Sequence, residues 1–447
     1  MILKKNLNTI LKNKKGSALW NKAKKIIPGG TQLLSKRCEM LLPDNWPPYF
    51  QKAKGADVWD VDGNKYIDMY SMGIGSCILG YSDPEVNKAV IKVINEGSMC
   101  TLNSPEEVEL AELLLKIHPW AGMARYARTG GEAMGVAVRI ARAHSGKEKI
   151  AFCGYHGWQD WYLAANLADD KNLDGHLLAG LEPRGVPRGL KGTAIPFNYN
   201  KIEELENIVA QNEIGVIIVE PLRYQEPADN FLQKIRKIAD RIGAVLVFDE
   251  ITSGFRFNLG GVHLTLGVNP DIAVFAKGMS NGFPMAAIIG KEDVMQAAQT
   301  TFISSTYWTE RTGPAAALAT IKKMKSAKVH AHLNRIGTMI IKGLAKSAAS
   351  RGLKLKIEGR PPLIHFSFDY GPESQAIRTL FTQEMLKKGI ISSAGVYVSF
   401  AYKEEHVARF LKAADNVFEM LKVAIEAGAV FRLLEGPVAQ EGFKRLT

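Results

Sequence analysis

Apolar positions in this chain follow two rhythms. Short unbroken runs occur in "IGVIIVEPL" (214–222), "AVLVFDEI" (244–251), "DIAVFAKG" (271–278) and "MAAIIG" (285–290). Each is cut off by a charged residue or a glycine. Elsewhere the period is that of a helix, as in "DNFLQKIRKIADRIG" (229–243). Unbroken β-branched runs alternating with amphipathic helices predict strands buried on both faces. The fold class is therefore α/β, with a mainly parallel, doubly covered sheet. "VWDVDGNKYIDM" (58–69) alternates instead and reads as a hairpin turning at Asp62-Gly63. Its aspartates resemble part of a calcium loop, but the remaining ligand pattern is missing. After about residue 320 the rhythm changes to short strands, "KLKIEG", "PPLIHFSF" and "VYVSFAY", and a long helix begins near Glu404. The expected organisation is an N-terminal arm with part of a small domain over 1–75, a large α/β domain over 76–320, and a small α+β domain over 321–447.

Composition narrows the class. The chain has 447 residues, 46% hydrophobic and 23% charged, which is enough for a large core. The net charge of +12 raises nucleic acid, membrane surfaces and anionic small molecules as partners. The lysines are scattered and do not interleave with aromatics, so solvated surface charge and an anionic ligand are favoured over nucleic acid. Four cysteines, Cys38, Cys77, Cys100 and Cys153, lie far apart, which fits a reducing cytoplasm better than a disulfide or zinc framework. The opening "MILKKNLNTILKNKK" interleaves lysines with apolar residues, as a short amphipathic helix does and a signal peptide does not. No run reaches the length of a membrane span.

Three strand ends carry polar residues: Glu220, Asp249 and Lys277. Ligands of open α/β sheets bind at such ends. A lysine leaving a buried strand loses hydration, so its pKa falls and its free amine can attack a carbonyl. A carboxylate for a protonated pyridine nitrogen beside such an amine is what pyridoxal 5'-phosphate requires. The alternative is a buried structural ion pair between Asp249 and Lys277. "ARTGGEAMGVAVRIARAHSG" adds Thr129, Gly130 and Gly131 at the start of a helix, where backbone N–H groups can take a phosphate. "KIAFCGYHGWQD" adds Tyr155, a ring able to stack on a flat cofactor. Taken singly, the glycines are an ordinary cap and Tyr155 an ordinary loop aromatic. The order of phosphate loop, aromatic, aspartate and lysine gives the set its meaning.

In that order the chain resembles the class III, fold-type I aminotransferases, and among them glutamate-1-semialdehyde 2,1-aminomutases. The likeness runs through "TGGEAMGVAVRIARA", "GYHGWQD", "VEPL", "VFDEITSGFR" and "PDIAVFAKGMSNGFPMAAIIG". It implies a large domain with a seven-stranded sheet and a smaller α+β domain. Lys277 would link covalently to the cofactor and carry the substrate proton. Asp249 would pair with the pyridine N–H, and Tyr155 and Ile251 would flank the ring. Gly130 and Gly131 would hold the phosphate, and Gln225 or Glu226 would sit by the phenolic oxygen. Across a homodimer interface the phosphate would meet Thr309, with Thr306 and Ser305 as alternatives. Lys36 (beside Arg37), Ile74 and Ala394 stand where the aminomutases carry an arginine, a tryptophan and an acidic residue. These departures favour intermolecular transfer from a small-molecule amino donor to an aldehyde or ketone acceptor, with an aminomutase and an inactive cofactor-binding scaffold as alternatives. His156, Arg256, His263 and Trp308 are further candidates whose roles the sequence leaves open, although Arg256 reads as structural.

Overall fold

The structure is a computed structural model and describes residues 14–176 and 179–443. Most of the lysine-rich opening stretch lies outside these residues. The chain divides into two compact units. One comprises residues 75–77 and 83–330, and the other the described residues up to 74, 78–82 and those from 331 onward.

The first unit is built on seven strands: β1 (Met123–Ala127), β2 (Lys149–Cys153), β3 (Ala194–Pro196), β4 (Ile214–Val219), β5 (Val245–Asp249), β6 (Ile272–Phe275) and β7 (Ala286–Gly290). Their order is β1-β7-β6-β5-β4-β2-β3. The pairs from β3 through β2, β4 and β5 to β6 are parallel, whereas β7 is antiparallel to both β6 and β1. The connection from Phe275 to Ala286 is too short for a crossover helix, so β7 must run back alongside β6.

Every residue of β4, β5, β6 and β7 is buried. Alternation sends Val216, Ile218, Val245, Val247, Ile272 and Val274 to one face, where Val136 and Ile140 of helix α1 (Gly130–Ser145) cover them. Ile217, Val219, Leu246 and Phe248 go to the other face, under Leu232, Ile235 and Ile238 of α2 (Phe231–Ile242). Burial of each such side chain stabilises the fold by about 1.5–3 kcal/mol. The two-sided burial is why these strands read as unbroken apolar runs.

The second unit holds two smaller sheets. Phe50–Lys54, Asp57–Asp60, Lys65–Asp68 and Ile390–Ile391 form one; Leu355–Glu358, Leu363–Phe368 and Gly395–Tyr397 form the other. The hairpin expected at Asp62-Gly63 is present, with Gly63 at φ 88°. Asp60 ties it down by accepting the N–H groups of Asp62 and Asn64 and the hydroxyl of Tyr66. Its aspartates serve the turn, and no His/Cys/Asp/Glu cluster fit for a metal occurs among the described residues. Helix Glu404–Glu426 begins where the sequence places it. Among the described residues no helix is long and apolar enough to cross a membrane.

Candidate active site

The parallel strands bring their polar ends together. Asp249 closes β5 in register with Val274 of β6, and Lys277 follows β6 two residues beyond Phe275. Lys277 has φ 46°, in the left-handed region that a residue with a Cβ enters only under constraint. Its Nζ donates to Thr252 Oγ1 at 2.7 Å. Burial lowers the Lys277 pKa to about 8, with the Arg223 guanidinium as the next largest cause.

Asp249 is 3% exposed. Oδ2 lies 2.8 Å from His156 Nδ1, and Oδ1 accepts the Ile251 N–H at 3.0 Å. On the far side His156 Nε2 faces the Cys153 carbonyl at 3.2 Å. A carbonyl can only accept, so Nε2 carries a proton, and a second proton is shared between Nδ1 and Oδ2. Burial raises the Asp249 pKa, and the His156 hydrogen bond opposes that rise. His156 thus favours the ionised carboxylate that a protonated ring nitrogen needs. Among the described residues, Asp249 and Lys277 make no ion pair with each other, so the alternative of a structural Asp249–Lys277 bridge does not hold.

The walls come from two loops and a helix start. Thr129 caps α1 in a capping box with Glu132, leaving the N–H groups of Gly130 and Gly131 in the first turn, where α1 has no carbonyl for them. A Cβ on Gly130 would lie 2.8 Å from Ile251 Cδ1, and one on Gly131 2.8 Å from Gln159 Nε2. Glycine at both positions lets Ile251 and the loop after β2 close on the helix start. Tyr155 is anchored by its N–H, which donates to Glu220 Oε2 at 3.1 Å. Tyr155 and Ile251 both pack on the same core cluster. A first-turn anion cradle, two apolar walls, a buried acid and an amine with a lowered pKa fit pyridoxal phosphate in their donor chemistry.

The remaining candidates separate. His263 is fully buried and bonds Glu250 Oε1 through Nδ1 at 2.8 Å, on the side of β5 away from Asp249. Arg256 is buried and donates to the Gly75 carbonyl at 2.5 Å, as befits a structural residue. Trp308 packs on the same core cluster as Tyr155 and Ile251. Thr309 closes a short turn, Thr306–Thr309, and is exposed with Ser305 and Thr306. Gln225 and Glu226 are also exposed. Lys36, Arg37, Ile74 and Ala394 belong to the other unit. There Ile74 has φ 58°, a costly conformation for a β-branched residue.

Sequence reasoning named His156 without its partner and passed over Thr252 and Arg223. The signal for His156 was its place one residue after Tyr155. Thr252 gave none, because a threonine in a turn after a strand is ordinary turn chemistry.

This fold and this set of groups define a pyridoxal-phosphate enzyme of the transaminase type. Residues 43–417 match the family Aminotransferase class-III. The 3-aminobutyryl-CoA aminotransferase of Cloacimonas acidaminovorans (strain Evry) is 31% identical over 90% of this chain and 96% of its own. A glutamate-1-semialdehyde 2,1-aminomutase of Acetivibrio thermocellus is 33% identical over 74% and 79%. The FumI protein of Sphingopyxis sp. MTA144, solved in its PLP internal aldimine form, superposes with TM-score 0.83 at 26% identity, covering 92% of this chain and 97% of its own. The chain belongs to the class III aminotransferase family, and its cofactor is pyridoxal 5'-phosphate.

Proposed function

We propose that the chain moves an amino group from a small-molecule donor to a separate aldehyde or ketone acceptor, with Lys277 as its covalent anchor for the cofactor. When bound, pyridoxal phosphate supplies an aldehyde carbon and an electron sink. The chain supplies the rest. The Lys277 pKa is lowered to about 8, so free amine forms far more readily near neutral pH than on an ordinary lysine. That amine would anchor the cofactor through its aldehyde carbon and would later carry the proton at the substrate carbon. Thr252 Oγ1 accepts from Nζ whenever the amine is unbound, keeping it in place. Asp249, backed by His156, would hold the proton on the ring nitrogen. Tyr155 and Ile251 would flank the ring, Gly130 and Gly131 would hold the phosphate, and Gln225 would sit by the phenolic oxygen.

One observation carries this reading. An amine held by Thr252 and an acid held by His156 stand at the ends of adjacent parallel strands, in the unit whose α1 start offers free backbone N–H groups. A panel of amino donors tests it. Donors should abolish the visible absorbance of the lysine-bound cofactor, and pyridoxamine phosphate should appear. No spectral response to any donor would leave only a cofactor-binding scaffold.

Likeness to the aminomutases supports a second reading, transfer within one molecule. Lys36, Ile74 and Ala394 weigh against it: a lysine offers a point charge where an arginine offers a two-pronged carboxylate contact. Pyridoxamine-form enzyme given glutamate-1-semialdehyde distinguishes the two, since only a mutase yields 5-aminolevulinate without a second amino compound. We also read the enzyme as a cytoplasmic homodimer in which Thr309 reaches the partner's phosphate. Phe302 and Tyr307, 84% and 68% exposed, flank that segment and suit a face covered by a second copy.

A further inference from the structure

The loop after β2 closes on the first turn of α1 and brings one side chain there that none of the roles above uses. That side chain is Gln159, half-buried. It is the N-cap of the short helix Asp160–Leu163, yet its carboxamide makes no cap bond to that helix. The ordinary use of a polar side chain at that position is thus absent. Oε1 instead accepts the Trp158 N–H at 3.2 Å. An N–H can donate only to the oxygen, which fixes the other end as the NH2 group. Nε2 is the end nearer the start of α1: it lies 2.8 Å from where a Cβ on Gly131 would be, against 3.3 Å for Oε1. Among the described residues Nε2 has no acceptor. Two glycines make the room. A Cβ on Gly157, at φ 116°, would lie 2.5 Å from Gln159 Oε1 and 3.2 Å from Gly131 Cα. The acid of that first turn is engaged elsewhere, since Glu132 Oε2 accepts the N–H groups of Arg128 and Thr129. Thr129 Oγ1 takes the Glu132 N–H. The N–H groups of Gly130 and Gly131 remain, and Gln159 sets a neutral donor beside them from a different element.

We propose that Gln159 is a further cofactor-binding residue: its NH2 group donates to the phosphate that the backbone of Gly130 and Gly131 holds. This rests on the aminotransferase reading and adds a residue to its cofactor site. Backbone N–H groups of a first turn all point along the helix axis, so they hold an anion from one side. A donor from the neighbouring loop meets it from another side and fixes its lateral position. That loop also carries Tyr155, four residues before Gln159, so the same contact ties the phosphate to the segment whose ring would flank the cofactor. Hydrogen bonds to a charged acceptor are stronger than neutral ones, and an amide otherwise without an acceptor gains the bond without breaking another.

Calorimetry of the cofactor-free protein tests this with two ligands, pyridoxal 5'-phosphate and pyridoxal, which lacks the phosphate. Gln159→Ala should weaken binding of pyridoxal 5'-phosphate by about tenfold or more, the range of a lost hydrogen bond to a charged group, and leave pyridoxal binding unchanged. Gln159→Glu keeps the shape and should weaken pyridoxal 5'-phosphate further, because a carboxylate repels the phosphate. Pyridoxal serves as the control for folding, since a damaged loop would lower both affinities. Equal losses for the two ligands would make Gln159 a packing residue of the loop and overturn the proposal. So would wild-type affinity for pyridoxal 5'-phosphate in either variant. Failure of the underlying aminotransferase reading looks different: the wild type would bind its cofactor and no amino donor would change its absorbance, while the ratio of the two affinities would still decide on Gln159.

Discussion

At the scale of single residues, neighbours keep two groups in costly states. Lys277 has a pKa lowered to about 8, chiefly by burial. For a lysine this means the neutral amine is favoured in the folded protein, so nucleophilic amine accumulates as pH rises through about 8 and not through the ordinary value of 10.5. Capture of added pyridoxal phosphate by cofactor-free protein should therefore rise with a midpoint near pH 8. A midpoint near 10 would contradict the assigned environment. Asp249 depends on His156 for its ionised form. His156→Phe removes that hydrogen bond and should weaken cofactor affinity and lower kcat about tenfold or more, the range of a lost partner to a buried charged group. His156→Gln, which can still donate, should recover part of both. If Phe and Gln behave alike, His156 acts only by filling space.

At the scale of elements, the turn after β5 is the device that assembles the site. It carries Asp249, Ile251 and Thr252 toward the cofactor side and Glu250 away from it. Glu250 is fully buried and anchored by His263 through both ring and backbone N–H and by the Ser253 hydroxyl. Trp120 Nε1 donates to His263 Nε2 at 2.9 Å, so the His263 proton faces Glu250. Burial pushes the Glu250 pKa up, but the hydrogen bonds from His263 and Ser253 outweigh it and hold it below the ordinary value. Glu250 therefore stabilises the fold above the normal glutamate pKa, and that contribution fades as pH falls through the lowered one. His263→Ala strands a buried carboxylate and should cost about 3–5 kcal/mol, read as a drop in Tm. In the other unit, a Cβ on Gly337 would sit 1.9 Å from the Pro361 carbonyl oxygen, so Gly337→Ala should destabilise by about 1–3 kcal/mol through forced backbone shifts.

These elements also mark what the sequence could disclose. Asp249 and Lys277 were legible because each interrupts an apolar run, and polar residues at such places need a reason. The parallel core was legible for the same cause. The reversed β7 was not, since its composition matches its neighbours and only the short connection from Phe275 sets its direction. The bond from His156 to Asp249 spans 93 residues and the one from Lys277 to Thr252 spans 25, so tertiary pairing, which local pattern does not encode, decides both.

At the scale of the molecule, family membership and fold fix the cofactor, and the proposed homodimer would decide whether each site is complete within one chain. If Thr309 serves the partner's phosphate, Lys277→Ala and Thr309→Val proteins should each be nearly inactive. Mixed and reassociated, they should regain activity, because one site of each hybrid dimer receives both intact residues. No recovery would place the phosphate site within a single chain. The central claim, that Lys277 is the covalent anchor, has a more direct test. Borohydride reduction of the cofactor-loaded protein, followed by peptide mass spectrometry, should find the pyridoxyl mass on the peptide containing Lys277. Lys277→Ala should yield no labelled peptide and lose the visible absorbance. A pyridoxyl group on another lysine, or undiminished absorbance in Lys277→Ala, would contradict the account.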